Sequence, residues 1–329
     1  MISVSIGSYS LKPLDSLKTI VLGSSDKIVK IVVDLRLRRA ATCIVVGAIL
    51  GACGTILQYL LRNPLASPYT LGIQSAAALG AGIAIMLLQG GSMIGSRTAA
   101  TATLIIENPY TVCILAFTFS AMQALLILLL AYAVGLSVYS ILLVSAVMSF
   151  AVQAVLSLLQ YLFFNEIAVA ALVFWTFGDV GRTSWVEIWG LTAVAFILLL
   201  AFTAKSIDLD LISLGDDIAS SSGVNPKIFR VVSILAVALA TAVAVSFTGV
   251  IGFVGLLAGH MARLCTGWSA RKSLPASAIL GSIVLLAADI VGRSVIPGVV
   301  LPVGITTTII GVPLLIVLLV GGKHGVPKD

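Results

Sequence analysis

The stretch 248-TGVIGFVGLLAGHMAR-263 decides the fold. Gly249, Gly252, Gly255 and Gly259 recur every three or four residues in an otherwise apolar run, so the spacing predicts a helix stripped of side chains on one face. Such a face lets a second helix approach its backbone closely, the usual device of helix packing in lipid. The run ends in His260 and Arg263, and Arg271 and Lys272 follow before the Leu274-Pro275 restart. A helix leaving the bilayer at so basic an edge points to a partner or surface outside the membrane.

Composition extends this reading to the whole chain. Hydrophobic residues make up 60% of the 329 and charged ones only 10%, and the mean hydropathy is +1.17. Soluble domains carry roughly 45–50% apolar and about 25% charged residues, so this is an integral membrane protein. Long apolar segments occupy 40–61, 69–88, 110–134, 140–160, 185–204, 231–247, 250–264, 275–296 and 301–320. Most are near the ~20 residues that a spanning helix requires, and the alternation of barrel strands is absent. The expected fold is an all-α polytopic bundle with nine visible spans in a single transmembrane domain, residues 1–329. The multi-pass chain belongs in the plasma membrane.

Cys43, Cys53, Cys113 and Cys265 lie in or at the ends of apolar segments without metal or redox spacing, and buried cysteine acts as a small hydrophobe. The net charge of +6 is scattered among loops, which fits membrane-edge anchoring and not a nucleic-acid surface. Residues 1–39 contain no spanning segment of their own and no cleavable signal, and read as an extracytoplasmic tail. On a nine-span topology this tail's seven Lys and Arg join Arg97, Arg182 and Arg293 on one side, against nine on the other. Without the tail the tally is three against nine, which places Arg62, the 205–230 segment and the 263–272 loop in the cytoplasm. The basic tail then lies outside, against the rule, so a further helix upstream of Met1 is expected.

Residues 62–72 read RNPLASPYTLG, and Pro64 and Pro68 impose an extended, rigid turn. This loop resembles the one between the second and third helices of FecCD-type permeases, the membrane subunits of ABC importers. Residues 249–257 with His260, Met261 and Arg263 resemble that family's eighth helix, Gly259 standing in place of its usual proline. Leu274-Pro275, Ala288-Asp289-Ile290 with Arg293, and residues 301–304 (LPVG) with Gly311 and Pro313 continue the likeness in family order. The resemblance implies ten helices, the first reduced here to a stub at residues 3–11. It also implies a homodimer with its path on the two-fold axis, two ATPase subunits, and an extracytoplasmic binding protein delivering a metal chelate. No resident cofactor or metal is implied.

The chain has no G-x-x-x-x-G-K-[ST] phosphate loop, so ATP must be handled by another subunit. The sizeable polar segment on the cytoplasmic side is 205–230. There Gly215 permits a sharp turn, Asp216 and Asp217 suit a helix N-terminus, and Gly223 suits a left-handed stop. The resemblance makes Leu214, Gly215, Asp216, Asp217, Ile218, Ala219, Gly223 and Val224 the element that contacts the ATPase, with Ser222 replacing a more usual leucine. An ordinary capped loop is the plainer reading of the same residues.

Arg36, Arg39 and Arg293 map onto the arginines that dock the binding protein. Guanidinium suits that task because its planar fork grips carboxylates bidentately and stays charged. Interfacial anchoring is the alternative, and Arg293 is also placed to pair with Asp289 one helical turn away. Asn63, Pro64 and Leu65 match one cytoplasmic gate of the family and Ser137, Val138 and Tyr139 the other, although Tyr139 would equally suit an aromatic belt. Glu166, Asp179, Arg182, Trp185 and Glu187 fall on the outer side without a motif. Asp289 is the one acidic residue deep in an apolar run, by default a functional candidate, with a structural ion pair to Arg293 as the plainer reading.

A secondary transporter would place ionisable groups at mid-membrane, whereas these segments are almost uniformly apolar. An intramembrane metalloenzyme would need H-E-x-x-H or a histidine cluster, and the chain has only His260 and His324. The family's cargoes include iron-siderophores, haem, cobalamin, molybdate and tungstate, with iron chelates the commonest.

Overall fold

The computed structural model describes residues 3, 19, 27–88, 109–296 and 298–321. The described residues form α-helices joined by turns: α1 (Lys27–Leu60), α2 (Ile73–Leu88), α3 (Pro109–Ala133), α4 (Val138–Phe163), α5 (Glu166–Thr176), α6 (Trp185–Ala204), α7 (Ser206–Leu214), α8 (Asp216–Ser221), α9 (Pro226–Thr248), α10 (Val254–Thr266), α11 (Ala270–Ser294) and α12 (Val303–Gly321). Six of them, α1, α3, α4, α6, α9 and α11, are long and apolar enough to cross a membrane. α2 and α5 are shorter apolar helices, α10 has 13 residues, and α12 is apolar over 19. By length α2 and α10 fall short of a full crossing. The expected stub at 3–11 lies outside the described residues apart from Ser3.

α1 differs from the expected segment at its start. It begins at Lys27, ahead of the apolar run at 40, because Val32, Val33 and Leu35 keep the helix apolar and Asp34 braces Arg38 one turn on at 3.0 Å. At 34 residues it is about 51 Å long, well beyond the ~30 Å hydrocarbon layer. Its C-terminal half, from Cys43 onward, is almost wholly buried. This half is the axis of the larger core, with α6, α7, α9, α10 and α11 packed around it. A second core joins α2 to α3, α4 and α5.

The glycine-rich stretch is not one helix. α9 stops at Thr248, Gly249 takes φ +74°, Phe253 takes φ +65°, and α10 begins at Val254. The bare face survives in α10: a Cβ on Gly255 would lie 2.6 Å from the Leu50 carbonyl oxygen, and one on Gly54 would lie 2.1 Å from that of Gly255. Backbone therefore packs on backbone where α1 meets α10. The interruption is chemically satisfied from elsewhere, since Asp179 N–H donates to the Thr248 carbonyl at 2.7 Å and Gln74 Nε2 to that of Ile251 at 2.9 Å. Irregular backbone at membrane depth survives only when buried in protein in this way.

Local signals set several helix ends. Asn165 caps α5 through Ala168 N–H at 2.8 Å, and Ser137 caps α4 through Ser140 N–H at 3.0 Å. Ser184 and Glu187 form a reciprocal capping box on α6. Asn225 accepts from Lys227 and Ile228 N–H at the start of α9, where Pro226 occupies the first turn.

Candidate functional site

Two charged clusters sit at opposite ends of α1. At its C-terminal end the expected capped helix forms as α8, between Gly215 at φ +145° and Gly223 at φ +88°. Asp216 and Asp217 occupy its first turn, where carboxylates complement the helix dipole. Ala219 is fully buried and Val224 N–H donates back to its carbonyl at 2.9 Å, closing the turn. Leu214 and Ile218 are exposed, at 66% and 46%, and so present an apolar edge away from the bundle.

Asp216 does more than begin the helix. Arg230, on α9 and only 1% exposed, donates Nη2 to Asp216 Oδ1 at 2.8 Å and Nη1 to Oδ2 at 3.2 Å. Arg62 donates Nη2 to the same Oδ1. Burial alone would raise the Asp216 carboxyl, but the Arg230 and Arg62 guanidiniums outweigh it and hold it below the usual carboxylate range. Arg230 Nη1 also reaches the Leu136 carbonyl, at 3.4 Å.

Both expected gate loops begin beside these partners. Arg62 leads into Asn63, Pro64 and Leu65, where Asn63 Oδ1 accepts from Leu65 N–H at 2.9 Å, and Ser67 and Thr70 brace each other at 2.9 and 3.3 Å. Leu136 leads into Ser137, Val138 and Tyr139 at the head of α4. Leu65 is 44% and Tyr139 75% exposed, so both side chains project from the bundle. The structure therefore joins the segment around α8 to the two loop starts, a connection no local sequence signal announces.

At the N-terminal end of α1, Arg36, Arg39 and Arg293 are buried or nearly so. Asp289, 1% exposed at its side chain, lies between Arg39 Nη2 at 2.9 Å and Arg293 Nη2 at 2.8 Å. The Arg293 contact is an ion pair without hydrogen-bond alignment, since Asp289 Oδ2 has no hydrogen-bond donor. Arg293 also donates to the Ser3 carbonyl and hydroxyl at 3.2 and 2.9 Å. Arg39 Nη1 continues to Asp179 Oδ1 at 3.1 Å, and Asp179 Oδ2 faces Arg182 at 4.0 Å. The Arg293–Asp289 pair read from the sequence is present, and Arg39 is a second partner that spacing could not reveal.

The residues expected on the outer side make contacts within the protein. Glu187 accepts from Tyr110 OH at 2.6 Å as well as closing the α6 cap. Trp185 Nε1 donates to Asp34 at 2.9 Å, and Glu166 lies in the first turn of α5. Arg182 donates to the Phe174 carbonyl at 3.0 Å, and burial draws its pKa down against the pull of Asp179. Among the described residues no group of His, Cys, Asp and Glu is placed to hold a metal.

The profile of the FecCD transport family matches residues 1–321. The chain belongs to the FecCD transport family. It is 38% identical over 314 residues to an ABC transporter permease protein of Methanocaldococcus jannaschii, covering 95% of this chain and 88% of that protein. It is 36% identical over 323 residues to the iron(III)-citrate import system permease of Bacillus subtilis, covering 97% and 90%. The vitamin B12 import system permease of Vibrio vulnificus is 33% identical over 316 residues, covering 96% and 88%. Among solved structures, a metal-chelate type ABC transporter in an inward-facing conformation superposes with a TM-score of 0.81 at 27% identity, covering 97% of this chain and 94% of that one. Like other FecCD proteins this one is a transmembrane ABC permease, a transport subunit of the plasma membrane.

Proposed function

We propose that this FecCD protein is the membrane-spanning subunit of an ATP-driven importer of an iron(III) chelate, powered by a separate ATPase and supplied by an extracytoplasmic binding protein. The family match over residues 1–321 carries the reading, and the iron(III)-citrate relative supports the cargo. The similarity to a vitamin B12 permease makes a corrinoid the second reading. Two copies form a homodimer, with the path between them. In support, α4 exposes Leu143, Val147, Phe150 and Tyr161, and its head carries Tyr139. The six long helices, with α12 and with the shorter α2 and α10 extended by the turns that flank them, make nine crossings.

In this scheme α8 and its flanks, from Leu214 to Val224, meet the ATPase, while residues 63–65 and 137–139 form the gate. At the other end Arg36, Arg38, Arg39, Arg182 and Arg293 outnumber Asp34, Asp179, Glu187 and Asp289 by one, and the excess positive charge suits acidic groups on the binding protein. The test is reconstitution in liposomes with the cognate ATPase and binding protein. ATP-dependent uptake of radioactive iron(III)-citrate is expected, with no ATP hydrolysis by the permease alone. Uptake of cobalamin in place of iron(III)-citrate supports the second reading, and uptake of neither, or hydrolysis without the ATPase, rejects both.

A further inference from the structure

Two contacts meet at the buried Arg230 side chain, and a third meets its partner Asp216. Arg230 binds both carboxylate oxygens of Asp216, at the first residue of α8, and the carbonyl of Leu136, the last residue before the α4 cap. The second cation on Asp216 is Arg62, the last residue before Asn63. Leu136 and Arg62 both hold positive φ, +56° and +45°. Non-glycine residues adopt the left-handed region at a cost and keep it only where their surroundings impose it. The two turns that start the two gate loops are thus both strained and both tied to one carboxylate.

We infer that Arg230 is a positioning residue that, with Asp216 and Arg62, passes displacement of α8 to both gate loops at once. The inference rests on α8 being the ATPase contact. A guanidinium buried to this degree cannot lose its carboxylate and stay in place, so Asp216 cannot move with α8 while Arg230 and Leu136 remain behind. Arg62, 37% exposed at its side chain, follows the same carboxylate through Oδ1. An anchor that merely stabilised the fold would need only one of these partners.

The test uses the permease assembled with its ATPase in liposomes. Cys265, the exposed native cysteine, is replaced by serine, and Leu65→Cys reports the gate through its rate of reaction with a water-soluble maleimide. In the parent, trapping the ATPase with ATP and vanadate is expected to change this rate about fivefold or more. Arg230→Gln should reduce the response to less than about twofold while ATP hydrolysis persists. Arg62→Gln, at a partly exposed position, should do the same. A parent-sized response in Arg62→Gln, or in a folded Arg230→Gln, overturns the relay, as does a parent without a response. Ser221→Cys cross-linking to the ATPase separates the two levels: no cross-link overturns the α8 contact and the relay with it, whereas an intact cross-link with unchanged gate response overturns the relay alone.

Discussion

Arg39 and Asp289 stand 250 positions apart in the chain, yet the Arg39 guanidinium places Nη2 2.9 Å from Asp289 Oδ1 and Nε 3.2 Å from the same oxygen. Because Asp289 also faces Arg293, one buried carboxylate holds two guanidiniums together at the N-terminal end of α1.

Removing the shared acid should therefore cost more than removing either base. Asp289→Asn removes the carboxylate shared by two guanidiniums, leaving Arg39 with Asp179 alone and Arg293 with the neutral Ser3, and should lower stability by about 3–5 kcal/mol, the usual penalty for breaking a buried pair from one side. Arg39→Gln leaves Asp289 with Arg293 and should cost less. Thermal unfolding in detergent ranks the two, and an equal loss would show that the pairs act independently.

Glycine substitutions separate close packing from helix propensity. A Cβ at Gly255 meets the Leu50 carbonyl at 2.6 Å, whereas one at Gly190, inside α6, meets nothing within 4 Å. Gly255→Ala should destabilise by about 1–3 kcal/mol, as overpacking does. Gly190→Ala should be neutral or raise stability by up to about 1 kcal/mol, since alanine loses less entropy in a helix. The unfolding midpoints should move in opposite directions, or the second not at all.

The pH dependence of α8 follows from Asp216. Arg230 and Arg62 depress its folded pKa, so their stabilisation is fully present above the ordinary aspartate value of about 3.9 and is lost as pH falls through the depressed one. Hydrogen exchange across 216–221, corrected for the intrinsic rate, should show equal protection at pH 7 and pH 5. Asp216→Asn should lose that protection at both. Fraying of the parent between pH 7 and pH 5 would contradict the ion-pair assignment.

Docking of the binding protein is tested by removing a charge in place of reversing one, with thermal unfolding run beside it. Arg39→Glu would set a third carboxylate beside Asp179 and Asp289, so loss of binding there would report unfolding. Arg36→Gln removes one positive charge and should weaken binding-protein affinity for the permease in nanodiscs by about 2 kcal/mol or more. Raising salt should weaken the parent contact in the same direction. Unchanged affinity in Arg36→Gln would remove this end of α1 from the docking surface.

What the sequence determined by itself is the part of the protein governed by local chemistry. Hydropathy is a sum over neighbours, so the helical membrane-embedded class could be read directly. Caps act over three or four residues, so the Gly215–Gly223 helix was readable too. The apolar segments 231–247 and 250–264 were legible as separate, and 248–263 as a packed glycine face, but the loop formed by its first residues was not, because hydropathy is blind to backbone direction. The interruption at 249–253 depends on donors from Asp179 and Gln74, which the fold brings to it. The same holds for charge. Asp216 could be seen as a helix-starting acid, while its partners Arg62 and Arg230 lie 154 and 14 residues away. Ion pairing depends on distance in space and on burial, and only the packing of α1, α8, α9 and α11 sets either one.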